Sequence, residues 1–329
     1  MRILRLSALS LLATACGAAA PRAPSGSTFE QARTRPQVEP ASPKETVPDD
    51  IVQRSARPFR ATHNADGQSL DQAHLLDELS HFDVVCLGEA HDSARDHFAE
   101  FAITEGLERR ARISGRALGV GFEMFQIPYG EALHAYGLGH LDDAGLRRRT
   151  HYDERWGYAY AYYRPILALG RAQGLPLKAL NAPREVTHAI AAHGLSELSP
   201  RLRRQLPAEL NLSDDEHRAR FEQLMAHHPH GAGKSHGLEN FYAVQVVWDE
   251  TMASTAARWV AARAPSRQLV ILAGSAHCHR QAIPARIERR EPLRVANVRL
   301  SADDAVDSSG FDYTLLFDGA AADAHPDDD

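Results

Sequence analysis

Short apolar runs recur along the chain and predict the strands of one sheet. Four of them show no alternation of apolar and polar positions and read as buried strands: Asp83 to Leu87, Ala117 to Phe122, Leu175 to Leu180, and Gln268 to Ala273. Two later runs, Leu293 to Leu300 and Tyr313 to Phe317, are candidates to extend the sheet. Segments with helical spacing separate the runs, so the pattern predicts an α/β fold with a mostly parallel central sheet and helices on both faces.

Two segments have the spacing of long helices. Asp92 is placed to cap a helix that runs to about Arg112, with one apolar face made of Ala94, Phe98, Phe101 and Ala102. A second helix is predicted over Glu239 to Arg263, where large residues recur at helical spacing: Phe241, Val244, Trp248, Met252, Thr255 and Trp259. The plain role of this second helix is to cover the sheet.

The N-terminus predicts a targeting segment that lies outside the fold. Residues 1–15 combine two early arginines with a short apolar stretch and end in Ala13-Thr14-Ala15, followed by Cys16. This order predicts a lipoprotein signal peptide with the lipid on Cys16, and simple secretion after the Ala-x-Ala motif is the alternative. Residue Gly17 is not the aspartate that retains some lipoproteins in the inner membrane. We therefore expect a lipid-anchored protein of the cell envelope, in the outer membrane.

Composition sets the limits of the folded part. Residues 16–50 are rich in proline and lack apolar periodicity, which predicts a disordered tether, and residues 318–329 predict a disordered acidic tail. Residues 51–317 remain as the folded domain. With 43% hydrophobic and 24% charged residues, the chain has enough apolar side chains for a substantial core. The net charge of -6, without long basic runs, indicates that nucleic acid is not a partner.

Two cysteines remain once Cys16 is set aside. Cys86 and Cys278 each lie near the end of an apolar run, so they could pair in an oxidising compartment if their strands are neighbours. Two cysteines alone define no disulfide framework. The favoured interpretation is therefore two separate buried thiols.

Polar side chains follow each of the four predicted core strands. Glu89 and His91 follow the first strand, Glu123 the second, Asn181 the third and His277 the fourth, and Gly88, Gly121 and Gly274 accompany three of them. The carboxyl ends of parallel strands open onto a common crevice, so these groups are expected to converge although they are far apart in sequence. Each of them taken singly has a structural interpretation as an ion-pair or capping residue. The repetition at four strand ends favours a shared functional crevice.

The chemistry of this set suits a divalent metal ion. Glu89, His91, Glu123 and His277 supply two carboxylates and two imidazoles, with a glutamate available as the base for a bound water. His97, on the helix that follows, is placed to join or orient the set. The spacing of these four residues in the sequence gives no independent support for a metal site, because they come from distant segments.

Residues 151–167 concentrate aromatic side chains. The segment holds Trp156 together with Tyr152, Tyr158, Tyr160, Tyr162 and Tyr163. Rings with polar tips suit a flat apolar ligand or a subunit contact, and a tyrosine oxygen is a known ligand of haem iron. On composition alone, packing around one helix is the favoured interpretation.

A histidine-rich stretch follows farther along the chain. It contains His217, His227, His228, His230 and His236. Adventitious metal binding or a surface haem site is one interpretation of it. A solvated loop flanked by a helix is the favoured one, since a biased composition does not by itself make a site.

Five blocks of sequence, in order between Asp83 and Arg290, resemble a known family. They are "VVCLGEAHDSARDH", "GVGFEMFQ", "WGYAYAYYRPILALGRAQGLPLKALNAPRE", "VQVVWDETMA" and "LAGSAH" followed by "IPARI". The chain resembles the ChaN family of haem-binding uptake lipoproteins, within the wider Tiki and erythromycin-esterase-like superfamily. One departure is Ala276, which stands where the family signature Gly-Ser-Gly-His usually has its second glycine.

The resemblance implies an outer-membrane lipoprotein tied to iron acquisition, with haem bound through tyrosine at a homodimer interface. Tyr158, Tyr163, Tyr162 and His97 are the candidate haem residues, and a haem transporter is a candidate partner. Wider relatives include metal-dependent proteases and hydrolases, whose active-site motifs match Glu89, His91, Glu123 and His277. Haem binding is the predicted function, and a metal-dependent hydrolase is the alternative.

Overall fold

In a computed structural model, residues 48–226, 235–300 and 308–317 are described. The predicted signal peptide, Cys16, the acidic tail and all but the last residues of the predicted tether lie outside them. His227, His228 and His230 also lie outside the described residues. Among the described helices, none combines the length and the apolar character needed to cross a membrane.

The described strands form one sheet, and the prediction of a mostly parallel α/β sheet is confirmed. The strands are β1 Phe59–His63, β2 Ser69–Leu70, β3 Val84–Glu89, β4 Ala117–Gln126, β5 Leu177–Asn181, β6 Arg267–Gly274, β7 Val295–Arg299 and β8 Tyr313–Phe317. Their order across the sheet is β2-β1-β8-β7-β3-β6-β4-β5. Only the β1 pairings with β2 and β8 are antiparallel.

Helices join the strands and cover the sheet. They are α1 Ile51–Arg54, α2 Gln72–Leu79, α3 Ala94–Ser114, α4 Gly130–Gly137, α5 Asp143–Thr150, α6 Tyr152–Arg155, α7 Tyr160–Gln173, α8 Arg184–His193, α9 Pro200–Arg203, α10 Asp215–Ala226, α11 Ser235–Ala261, α12 Ser275–Cys278 and α13 Ile283–Arg290. Short 3-10 turns occupy Ile127–Tyr129 and Leu195–Glu197. Such connections between parallel strands place helices on both faces of a sheet.

Alternate residues of β3 face two different apolar layers. Val85 and Leu87 pack in a layer with helices α2, α3, α4 and α7, whereas Val84 and Cys86 pack with α11 and α13. The strand is buried along its whole length. Burial on both faces explains why its sequence runs apolar without alternation.

Two details of the predicted helices are wrong. Helix α3 is capped by Ser93, whose hydroxyl accepts from the backbone N–H of Asp96, and not by Asp92. Of the predicted face of α3, Ala102 lies in the core, and Phe98 and Phe101 pack against it. In α11, Phe241 is 44% exposed and does not cover the sheet, and Val244 packs with residues of α8.

Cys86 and Cys278 form a disulfide, so the prediction of two separate thiols is wrong. Strand β3 pairs directly with β6, and the chain turns from the end of β6 into α12, which packs against β3. This turn sets the two Cα atoms 5.4 Å apart although 192 residues separate them in sequence. The sequence could not supply this adjacency, because it does not state which strands are neighbours.

Candidate functional site

Three neighbouring strands bring the predicted residues together at one edge of the sheet. Glu89 is the last residue of β3 and pairs in register with Gly274, the last residue of β6. Glu123 lies inside β4, at a shift in register with β5, and not after the strand as expected. His277 follows in the short helix α12. The predicted convergence of Glu89, Glu123 and His277 is therefore present, and His91 joins them through its contact with Glu89.

His91 and Glu89 form a close pair at the floor of this edge. His91 Nδ1 lies 2.6 Å from Glu89 Oε1, which also accepts a hydrogen bond of 2.7 Å from the Tyr163 hydroxyl. Burial alone would raise the pKa of Glu89, but His97 and the hydrogen bond from His91 bring it down to about 2. Burial lowers the pKa of His91, but the bond to Glu89 and the charge of Glu123 raise it overall.

Gly274 allows the His91 ring to lie against the end of β6. A Cβ at this position would stand 2.9 Å from His91 Cε1 and 3.0 Å from its Nε2, closer than side chains pack. The backbone N–H of Gly274 also donates to Glu123 Oε2 over 2.8 Å. The predicted close approach at this glycine is therefore present.

His277 lies between two buried carboxylates. Its Nδ1 is 2.6 Å from Asp249 Oδ1, and its Nε2 is 3.3 Å from Glu123 Oε1. Burial lowers the pKa of His277, but Glu123 and Asp249 together hold it well above its ordinary value. For Asp249, burial raises the pKa and the two histidines it contacts, His277 and His217, lower it further than burial raises it.

Asp249 is a site residue that the sequence reasoning missed. It lies on α11, fully buried, and joins His277 to His217, whose Nε2 is 2.9 Å from Asp249 Oδ2. The available signal was an acidic residue inside the apolar stretch "VQVVWDETMA". The helical spacing of that stretch predicts only a role in covering the sheet.

An open crevice of about 570 Å³ lies above these residues. Its wall combines His91, Glu123 and His277 with the aromatic side chains of Trp156, Tyr158 and Trp248, and with Met124, Asn181, Arg155 and Arg184. This volume lies within the usual range for small-molecule and cofactor sites, about 300–1,000 Å³. Asn181 lies on the wall as expected, and its side chain accepts from the backbone N–H of Ala182.

The four candidate haem residues have very different accessibility. Tyr158 lines the crevice and is 36% exposed, and its ring lies 4.7 Å from the His91 ring. Tyr163 and His97 are fully buried below the crevice floor, and Tyr162 is half-buried with its ring stacked on His97. Burial of Tyr163 and His97 leaves Tyr158 as the candidate that a crevice ligand can reach.

The residues predicted to bind a metal, Glu89, His91, Glu123 and His277, lie together at this edge of the sheet. Both ring nitrogens of His277 contact carboxylates, and Nδ1 of His91 contacts Glu89. Within the described ranges, the group that qualifies geometrically is a different one, Glu89, His97 and Glu100.

The histidine-rich stretch contributes one buried residue to this region. His217 is 4% exposed and lies on α10, the helix that precedes the rest of the histidine-rich stretch. Ala276 lies on the wall of a second, small cavity with His217 and not on the crevice wall. Its methyl group therefore does not narrow the crevice in front of His277.

A family model described as haem-binding uptake, Tiki superfamily, ChaN matches residues 75–287. The chain belongs to the ChaN family. The match spans strands β3 to β6 and helix α12, which carry Glu89, Glu123 and His277. Membership in a haem-binding family agrees with the predicted function.

Solved structures of other proteins have folds similar to that of this ChaN-family chain. A solved structure, cofacial heme binding to ChaN of Campylobacter jejuni, matches with a TM-score of 0.66 at 19% identity, covering 80% of this chain and 98% of that one. A mutant erythromycin esterase, EreC, in its open conformation, matches with a TM-score of 0.42 at 14% identity, covering 79% and 82%. The first likeness establishes the shared fold.

A curated relative comes from a plant. Protein RETICULATA-RELATED 5, chloroplastic, of Arabidopsis thaliana is 26% identical over 236 residues, which cover 68% of this chain and 32% of that protein. The chain spans about a third of the length of this relative.

Proposed function

We propose that this chain binds haem in the crevice, with the phenol oxygen of Tyr158 as the ligand of ferric iron. The observation that carries the proposal is the position of Tyr158 in a member of a haem-binding family. Of the tyrosines in residues 151–167, Tyr158 lines the crevice, and the structure gives its hydroxyl no hydrogen-bond partner among the described residues. A phenol oxygen that is exposed and not engaged elsewhere is free to meet an iron ion.

The wall around Tyr158 suits a flat aromatic ring with acidic substituents. Trp156 packs edge-on against His91 at 4.9 Å, and Trp248 contributes a second indole to the wall. Such surfaces favour a planar apolar ligand. The haem group itself would supply the iron and its redox chemistry, and the chain would supply the binding surface and the ligand atom.

Two arginines on the crevice wall suit the haem propionates. Arg155 and Arg184 both line the crevice. Arg155 donates to Gln126 and pairs with Glu185 at 2.7 Å, and Arg184 donates to the Glu154 carbonyl over 2.6 Å. Guanidinium groups pair with carboxylates through charge-assisted hydrogen bonds. We infer that these arginines set the orientation of the haem plane against Tyr158.

The proposal also includes where in the cell the protein binds haem. We propose that lipid on Cys16 anchors the chain in the outer membrane, and that the protein serves iron acquisition by holding haem for a membrane transporter. The lipoprotein-like order of residues 1–16 and the uptake role in the family description support this setting. The crevice is open to solvent on one side, and a second copy of the chain is the proposed cover of a bound haem.

A haem titration with tyrosine variants tests the proposal. Ferric haem added to the purified chain should produce a Soret band with a tyrosinate-type spectrum. Tyr158→Phe should change that spectrum and weaken binding at least about tenfold, as expected for the loss of an iron ligand. Tyr162→Phe is the matched control, since Tyr162 is in the same segment but does not line the crevice. The proposal fails if haem does not bind, or if Tyr158→Phe and Tyr162→Phe behave alike.

A further inference from the structure

Glu89, His97 and Glu100 form a buried cluster below the crevice that the haem proposal does not use. One ligand atom from each residue lies within 4.8 Å of the others. His97 and Glu100 are fully buried, three residues apart on α3, and Glu89 is 2% exposed at the end of β3. From these residues we infer a binding site for a divalent transition-metal ion.

The hydrogen bonds of His97 fix which of its nitrogens faces the cluster. Its Nε2 lies 3.1 Å from the backbone carbonyl of His91, and a carbonyl oxygen only accepts, so Nε2 carries the hydrogen. When a metal ion is bound the ring is neutral, and its Nδ1 carries the lone pair that faces the cluster. This Nδ1 lies 2.9 Å from Glu100 Oε2 and 3.4 Å from Glu89 Oε2. A histidine that donates one N–H to a carbonyl and turns its other nitrogen inward is the usual arrangement of a metal ligand.

Hydrogen bonds also fix the orientation of the Glu89 carboxylate. Its Oε1 is engaged by the Tyr163 hydroxyl at 2.7 Å and by His91 at 2.6 Å. Its Oε2 is buried and has no hydrogen-bond partner, although it points towards His97 Nδ1. Glu100 Oε1 is buried and unpartnered as well. Buried carboxylate oxygens without partners are costly, and a cation is the group that satisfies several of them at once.

The spacing of the donor atoms suits a small cation. Ligand bonds of about 2.0–2.2 Å hold tetrahedral donors roughly 3.3–3.6 Å apart. The 3.4 Å separation of Glu89 Oε2 and His97 Nδ1 already matches, and Glu100 needs to shift by a few tenths of an ångström or to offer Oε1. One imidazole with two carboxylates favours zinc or manganese over magnesium or calcium, which prefer all-oxygen ligands.

The charge of the cluster also favours a cation. Glu89 and Glu100 place two carboxylates close together in a buried site. A divalent ion bound between them offsets the repulsion of the two like charges.

Glu100 offers an isosteric variant. Glu100→Gln keeps the volume and the hydrogen-bonding capacity of the side chain, so the metal-free protein should still fold. It removes one anionic ligand. Glu108→Gln is the matched control, because Glu108 is another buried glutamate of α3 that lies outside the cluster.

The experiment uses the full chain in a background where His227, His228, His230 and His236 are changed to Asn, which removes adventitious histidine sites. The chain is refolded with Zn²⁺ or Mn²⁺ and dialysed, its metal is counted by mass spectrometry, and its affinity is measured by calorimetry. The background and Glu108→Gln should each retain one ion per chain. Glu100→Gln should bind at least about tenfold more weakly.

One further variant and one further titration complete the test. Tyr163→Phe removes only the hydroxyl that orients Glu89, and it should weaken metal binding by about 10- to 100-fold. Haem titration of Glu100→Gln should match that of the background, which separates this site from the haem proposal. The inference is overturned if the background retains no metal, if Glu100→Gln retains as much, or if Tyr163→Phe binds with unchanged affinity.

Discussion

Asp249 Oδ1 lies 2.6 Å from Nδ1 of His277, and this contact ties the long helix α11 to the edge of the sheet where the crevice opens. The pair is almost entirely removed from water, with Asp249 fully buried and His277 only 7% exposed. A buried histidine with a carboxylate on each ring nitrogen is held in one orientation. Asp249 therefore fixes the position of the His277 ring on the crevice wall.

The first prediction concerns the charge of His277. The groups that face it are Glu123, Asp249, Gln245 and His91. Asp249→Asn removes one of the two carboxylates that raise its pKa, so the pKa of the His277 imidazole should fall markedly. The titration of its ring protons by NMR measures this shift. His63→Asn, which alters a histidine on β1, is the control variant and should leave the His277 titration in place.

The same variant changes how stability depends on pH. In the wild type the folded pKa of His277 lies above its unfolded value of about 6.5, so its contribution is complete below that pH and is lost as the pH rises through the folded pKa. In Asp249→Asn the folded pKa is lower, so this loss should be smaller and should end at a lower pH, and unfolding at about pH 6 should require about 3–5 kcal/mol less. Urea unfolding between about pH 5 and about pH 9 measures both effects. Parallel curves for the two proteins would contradict the assigned role.

The second prediction concerns the pH dependence of haem binding. Burial, together with nearby carboxylates led by Asp92, raises the pKa of Tyr158. Binding iron as a phenolate releases that proton, so haem affinity should rise with pH throughout the neutral range, by up to about tenfold per pH unit. The slope should persist to alkaline pH because the pKa is raised. Tyr158→Phe should flatten it, and an equal slope in that variant would exclude Tyr158 as the ligand.

The strands were predictable because buried parallel strands leave a simple trace in sequence. Strands β3, β4, β5 and β6 each coincide with an apolar run, since both of their faces are covered. Strand β1, with the sequence "FRATH", buries only Phe59 and Ala61, and β2 is two residues long. Neither produces a run long enough to be recognised.

The convergence of Glu89, Glu123 and His277 was predictable for a similar reason. Residues at the carboxyl ends of parallel strands share one edge whatever the order of the strands. The contacts of Asp249 and of Cys278 were not predictable, because they depend on which helix and which strand are neighbours. That information lies in the tertiary packing and not in any local pattern.

The third prediction concerns the disulfide between Cys86 and Cys278. It links β3, three residues before Glu89, to α12, one residue after His277. Replacing both cysteines by Ala should lower the free energy of unfolding by about 2–5 kcal/mol, since the closed loop is long. Urea unfolding measures this, and the wild type treated with a reductant in the unfolded state should lose a similar amount. Equal midpoints for oxidised and cysteine-free protein would show that the bond does not stabilise the fold.

The fourth prediction concerns Glu250, which is fully buried on α11 and gathers three arginines of α13. Its carboxylate lies 2.8 Å from Arg289, 2.6 Å from Arg290 and 3.4 Å from Arg286, and it also accepts from the backbone N–H of Asn211. Glu250→Gln leaves a neutral amide beside these cations, of which Arg286 is almost completely buried. Breaking a buried ion pair by removing one partner costs about 3–5 kcal/mol, so the variant should unfold at a clearly lower urea concentration.

An exposed ion pair that includes another glutamate of α11 gives the control for Glu250. Glu239 lies 2.8 Å from Arg218, but its side chain is 62% exposed. Glu239→Gln removes the same charge by the same substitution, and an exposed pair contributes only about 0–1 kcal/mol. If both variants lose the same stability, the loss reflects overall charge, and the packing of α11 on α13 does not depend on the buried carboxylate. A loss several times larger in Glu250→Gln supports the buried cluster as the contact that holds α13, and with it the chain just after His277, against α11.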